Sequence, residues 1–230
     1  MNGVFYDGDH RLVHCAVDLD TSAYVSEDSI DTGLDRARDE NEVVELYAHG
    51  PANTVPLSKL EHVLAGAQSR GLAFDTYADF AHGTDTRPGL ALSFDDTAVD
   101  GWYALEPMLE QYGAHVTFFV TRYTKLSDEA HEKLHELAAD GHDIEAHTVN
   151  HLRAPDYVEN FGMDQYLSDE VQPSVDLLRA EGYEVPAFAY PFGARTDEID
   201  HAIRDRVPGI SVIRSVDFSI DTVGTPCPND

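Results

Sequence analysis

Residues 89–120 read GLALSFDDTAVDGWYALEPMLEQYGAHVTFFV. Gly89–Phe94 is a short apolar run of the kind that forms a buried strand. Trp102, Leu105, Met108 and Leu109 then recur at helical spacing until Gly113 ends the pattern. His115–Val120 is a second β-rich run. A helix between two strands returns the chain to the same edge of a sheet, so the two strands pair in parallel. The alternation continues in both directions. Strand-like runs precede it at Leu12–Asp18, Val43–Ala48 and Leu72–Thr76, and follow it at Asp143–His147, Pro186–Tyr190 and Ile210–Arg214. Helical spacing is found from Val55 to Gly71, from Ser127 to Gly141, over Met163–Ala180 with an interruption at Pro173, and over Thr196–Arg206. Seven to eight such units predict an α/β protein built as a (β/α) barrel, with residues 1–230 as one domain and an irregular tail over Ser215–Asp230.

Composition narrows the partners. The 230 residues carry 43 acidic against 15 basic side chains, a formal net charge of -28, with Asp outnumbering Glu 27 to 16 and only 3 Lys. Such a surface repels phosphate, which sets aside nucleic acid and anionic membranes, and no apolar run is long enough to span a bilayer. The N-terminus lacks a basic-then-apolar leader, so the sequence-based expectation is a cytoplasmic protein of a high-salt medium. If the acidity is an adaptation to salt, the melting temperature should keep rising through the molar range, beyond the few hundred millimolar at which simple screening is complete. A melting temperature already flat above that point would remove the halophilic reading. Cys15 and Cys227 are too few for a disulfide framework and are consistent with free thiols or with one bridge between the chain ends.

In a (β/α) barrel the chemistry gathers where strands end. Asp18 and Asp20 close the first run, His49 the second, Asp95 and Asp96 the central one, His147 the next, and Pro191-Phe192-Gly193 a later one. Two adjacent carboxylates after an apolar strand repel each other unless a cation lies beside them, and one can then bind the metal while its neighbour stays free as a base. His147-Thr-Val-Asn-His151 places two imidazoles four residues apart, and two His with one carboxylate leave a fourth zinc position open to water. His131-Glu-Lys-Leu-His135 also spells the zinc-protease signature. Its apolar stripe runs through Ala130, Leu134, Leu137 and Ala138, however, which leaves both histidines at the flank of a solvated helix.

Leu92-Ser-Phe-Asp-Asp96, His147-Thr-Val-Asn-His151 and Phe188-Ala-Tyr-Pro-Phe-Gly193 together resemble the three successive motifs of the polysaccharide deacetylases, carbohydrate esterase family four. The resemblance is strongest over residues 43–193. It implies a metal-dependent hydrolase on a distorted (β/α) barrel that removes N-acetyl groups from an N-acetylglucosamine-type carbohydrate. It further implies Asp96, His147 and His151 as ligands of Zn2+ (with Co2+ or Ni2+ as alternatives), Asp95 as general base and the backbone N–H of Phe192 as oxyanion donor. The family's acid histidine sits in a Leu-x-His motif near the C-terminus. Here Leu46-Tyr-Ala-His49 supplies that pattern ahead of the Asp-Asp motif, so the order resembles the permuted branch of the family, whose known members act on poly-N-acetylglucosamine, and His49 is the implied acid. Polymer deacetylases often work outside the cell, which stands against the cytoplasmic expectation. Thr97 replaces a usual Gly. Ala189 replaces an Arg that orients the base in many members, so Asp95 must be held by another group, and Asp18 or Asp20 corresponds to the acidic residue that partners either the third-motif Arg or the acid histidine. Two other readings remain open at this level: a metal-dependent hydrolase of small non-sugar amides, and a carbohydrate-binding module without turnover.

Overall fold

The computed structural model describes residues 3–83, 87–217 and 219–220. Nine strands form one sheet: β1 (Phe5–Tyr6), β2 (Val13–Asp18), β3 (Val43–Ala48), β4 (Ala73–Phe74), β5 (Gly89–Asp96), β6 (Thr117–Val120), β7 (Asp143–Ala146), β8 (Ala187–Ala189) and β9 (Val212–Asp217). Strands β2, β3, β5, β6, β7, β8 and β9 pair in parallel around a closed ring, because β9 returns to β2 and β3 pairs with β5. The distorted (β/α) barrel expected from the sequence is therefore present. Leu72–Thr76 reduces to the two-residue β4 beside the start of β5, outside the ring. The sequence reading missed β1, which lies antiparallel on β3. Of the tail expected to be irregular, Ser215, Val216 and Asp217 instead continue β9, and residues 218 and 221–230 lie outside the described residues. Cys15 is buried in β2; Cys227 lies outside the described residues.

Helices cover the barrel: α1 (Glu27–Glu40), α2 (Leu57–Ser69), α3 (Tyr77–Ala81), α4 (Val99–Tyr112), α5 (Asp128–Ala139), α6 (Ala154–Phe161), α7 (Met163–Tyr166), α8 (Gln172–Ala180) and α9 (Asp197–Arg206). The sequence reading did not find α1. Its residues are mostly charged, and only Ile30, Gly33, Leu34 and Ala37 are buried. That narrow stripe suffices because Ser26 caps the first turn, accepting a hydrogen bond from the Ser29 N–H, and Glu27 and Asp28 complement the helix dipole. The interruption expected at Pro173 does not break the chain out of helical structure, since a π-helical stretch over Leu167–Val171 links α7 to α8. No helix of the described residues is long and apolar enough to cross a membrane.

Alternation along the strands sorts the side chains. On β5, Leu90, Leu92 and Phe94 join the large cluster beneath the helices, whereas Ala91 joins a smaller cluster with Tyr77, Phe119, Ala187, Ala189 and Val212 inside the ring. Ser93 and Asp95 continue that inner face. Small residues at 91, 187 and 189 leave room inside the barrel for a larger inward side chain, and Arg214 takes it.

Candidate active site

Asp95 and Asp96 are the last two residues of β5, and their side chains diverge as strand neighbours must. Asp96 takes φ 85°, in the left-handed region, so the tight turn into α4 falls on Asp96 itself and position 97 does not need the glycine usual in the family. His147 follows β7 directly. Thr148, His151 and Phe192 also have positive φ, at 64°, 61° and 62°. Strained backbone of this kind costs on the order of 1–3 kcal/mol per residue and persists only where the surroundings over-determine it. Gly193 completes the Phe192 turn at φ 66°, where a Cβ would come within 2.3 Å of Val216.

The structure brings Asp96, His147 and His151 together. Asp96 Oδ1 lies 3.0 Å from His151 Nε2 and 3.6 Å from His147 Nε2. This oxygen is buried and makes no hydrogen bond among the described residues. The tautomer of His147 follows from its other nitrogen. Nδ1 donates to the carbonyl of Ala189 at 2.8 Å, and a carbonyl only accepts, so Nε2 presents its lone pair to Asp96. Burial holds the His147 imidazole down at about 4, so it is neutral at ordinary pH. Burial would raise Asp96, but its contact with His151 and the nearby His49 charge outweigh it and bring the carboxyl to about 2. An orphaned carboxylate oxygen facing two imidazole nitrogens is a donor set that fits a divalent cation, and nitrogen and oxygen donors in this number suit zinc, with cobalt or nickel able to take the same ligands.

Asp95 is 3% exposed and turns into the barrel. Its Oδ2 accepts a short hydrogen bond from Arg214 Nη2, while Oδ1 has no hydrogen-bond partner among the described residues. Arg214 is fully buried, and its guanidinium lies over the rings of Tyr47 and Phe119, at 4.7 and 5.1 Å from their centroids. This is the group that replaces the missing motif arginine. Ala189 on β8 and Arg214 on β9 are direct Cα partners, so the cation arrives from the neighbouring strand at the paired position. The sequence reading missed it. The available signal was a lone arginine sharing the inward face of β9 with Val212 and Val216.

His49 stands one residue beyond the Ala48–Phe94 pair, which sets it beside Asp95 across the β3–β5 junction. Its Nδ1 is 2.7 Å from Asp20 Oδ2, and Asp20 Oδ1 accepts from the Thr54 hydroxyl at 2.8 Å. The Trp102 indole N–H donates to the His49 carbonyl and anchors the loop. Burial pulls the His49 imidazole down, but the bond to Asp20 and the charges of Asp95, Asp20 and Asp96 outweigh it and push it to about 9. Asp20 is thus the acidic partner that the sequence left open. Asp18 is held up by burial and by the like charge of Asp20, although its Oδ1 accepts from the Asp20 N–H. Asp18, Asp20 and His49 also lie close enough to bind a cation. In that group Nδ1 of His49 is engaged by Asp20.

At the third motif, the N–H groups of Gly193 and Ala194 donate back to the carbonyls of Tyr190 and Pro191. The Phe192 ring is 65% exposed and meets His151 edge to face at 4.7 Å. The decoy histidines sit apart from this site. His131 stacks on Tyr123 at 4.3 Å and its Nε2 donates to the Tyr123 carbonyl, whereas His135 stacks on Tyr183 at 5.1 Å.

Among solved structures, that of IcaB from Ammonifex degensii is similar, with 18% identity, coverage of 94% of this chain and 91% of that one, and a TM-score of 0.53. The BpsB deacetylase domain from Bordetella bronchiseptica matches at 13% identity over 94% of this chain and 96% of that one, with a TM-score of 0.53. A polysaccharide deacetylase from Bacillus cereus matches at 14% identity over 92% and 65% of the two chains, with a TM-score of 0.51. At these identities the likeness is one of fold. No curated protein matches the sequence. The polysaccharide deacetylase family model matches residues 82–206, more than half of the chain and including all three motifs. With the barrel closed and the motif residues gathered on one rim, this chain belongs to the polysaccharide deacetylase family.

Proposed function

We propose that the chain, over residues 1–230 as one catalytic domain, is a zinc-dependent N-deacetylase of an N-acetylglucosamine-type carbohydrate. The observation that carries this reading is the convergence of Asp96, His147 and His151 beside an arginine-held Asp95. A cation on the three ligands would act as a Lewis acid, polarising the acetyl carbonyl and lowering the pKa of water toward ~7. The chain's own residues handle the protons. Asp95 keeps Oδ1 free to accept a proton from the attacking water, and Arg214 fixes the direction of that carboxylate. The Phe192 N–H donates to the oxygen that becomes negative in the tetrahedral intermediate. His49, protonated at neutral pH through its contact with Asp20, gives its proton to the departing amine nitrogen.

Release of acetate from an N-acetylglucosamine oligomer by the metal-loaded protein tests the reading. Turnover of simple amides but not of the oligomer would favour a small-amide hydrolase, and sugar binding without acetate would mean a binding module. The ligand set has its own test. Alanine at Asp96, His147 or His151 should abolish stoichiometric zinc binding, whereas His131→Ala and His135→Ala should leave it intact. Elemental analysis of the purified variants decides between them, and zinc lost from the His131 or His135 variant would move the site to α5.

A further inference from the structure

Glu170 is 1% exposed and lies within the π-helical stretch Leu167–Val171, among Tyr166, Leu167 and Val171. A carboxylate buried in such surroundings costs several kcal/mol unless its oxygens are hydrogen-bonded. Both are bonded, and to a single residue. Oε2 accepts from the Asn150 backbone N–H at 2.9 Å, and Oε1 accepts from the Asn150 side-chain amide at 2.7 Å. The Glu170 backbone carbonyl accepts in addition from the Val149 N–H at 3.1 Å. Three bonds thus run from one helical residue to the two positions immediately before His151. On the other flank the Thr148 hydroxyl accepts from the His151 N–H at 3.0 Å, and the Thr121 hydroxyl donates to the Thr148 carbonyl at 3.0 Å.

We propose that Glu170 is a positioning residue for the metal site: its bonds to Val149 and Asn150 hold His151 in the left-handed backbone conformation that aims the imidazole at Asp96. The π-helical stretch is part of the same device. Pro173 has no N–H to give the preceding turn and its ring crowds the carbonyl four residues back, so the helix must adjust ahead of it. The adjustment takes the form of a π-turn, a feature that recurs at functional sites. Both the side chain and the backbone carbonyl of Glu170 bond the loop from within that turn. The inference rests on the proposed ligand set.

The test measures zinc affinity of the metal-free protein by competition with a chromophoric chelator, alongside the melting temperature. Glu170→Ala should weaken zinc binding roughly ten- to a hundredfold, the scale seen when the groups supporting a metal ligand are lost. Val175→Ala, which removes a buried side chain from α8, should lower the melting temperature and leave zinc affinity unchanged. Glu170→Gln should be mild, because a flipped Asn150 amide can accept from the new Nε2 while the glutamine oxygen retains the backbone N–H. Asn150→Asp should be severe, because it sets a second carboxylate against Glu170, and the double variant Asn150→Asp/Glu170→Gln should recover affinity. That pair keeps the inference testable if the alanine variant fails to fold. Wild-type affinity in Glu170→Ala, or no recovery in the double variant, overturns the inference while His151→Ala still loses the metal. Unchanged zinc binding in His151→Ala overturns the ligand reading and this inference together.

Discussion

Asp95→Asn lowers kcat/KM by about 10²- to 10⁴-fold on an N-acetylated oligosaccharide and on an activated aryl acetate alike, with zinc content unchanged. Both substrates need a water proton removed, and the asparagine keeps the shape without the basicity. His49→Ala separates them. An amine nitrogen leaves poorly without a proton, whereas a phenolate departs unaided, so the His49 variant should lose most of its amide activity and keep much of its ester activity. Initial rates on the two substrates decide this, and equal losses would make His49 a positioning group. The pH profile carries the same signature. His49 is pushed up to about 9, so amide turnover by the wild type should fall as pH rises through that value. That limb should be missing from the residual ester activity of His49→Ala. The folded-state pKa is raised, so the stabilisation from the His49–Asp20 contact is complete below the unfolded value of about 6.5 and is lost as pH rises through about 9.

Arg214→Met should be nearly as damaging, and on stability as well as rate. It leaves Asp95 buried without its cation, and breaking a buried pair from one side costs about 3–5 kcal/mol. Activity should fall on both substrates. The register suggests a rescue. Position 189 is the Cα partner of 214 on the adjacent strand, so Ala189→Arg combined with Arg214→Ala should return the guanidinium to the same interior space. Recovery of melting temperature and rate in the double variant would tie the effect to the cation rather than to lost packing. An Arg214→Met variant with wild-type melting and activity would show that the arginine does not hold the base.

The strand–helix–strand reading of residues 89–120 carried the fold because each piece of evidence in it is local. Apolar runs and helical spacing need only a few residues, and Val43–Ala48 matches β3 end to end. The same local logic rejected the decoy, since the stripe through Leu134 and Leu137 packs inward and leaves His131 and His135 on the flank. It failed at α1, where four buried positions among charged residues are too thin a signal without the barrel they pack on. It also ended β9 too early, because pairing with β2 extends the strand beyond its apolar start.

The sequence by itself determined the alternating architecture, and it brought Asp95, Asp96 and His147 to strand ends, with His151 four residues beyond, since strand-end placement depends only on where a run stops. Which side chain holds which was decided by closure of the barrel. Arg214 meets Asp95 across 119 residues of chain because β9 closes the ring beside β8, at the position where Ala189 leaves space. Asp20 rather than Asp18 meets His49 because the β2–β3 register and the Thr54 hydroxyl turn it there. Glu170 reaches Asn150 from a π-turn that no periodicity announces. Periodicity is summed over neighbours along the chain, whereas a buried charge pair is selected by the desolvation it must offset in the closed interior, and that cost exists only once the ring has formed.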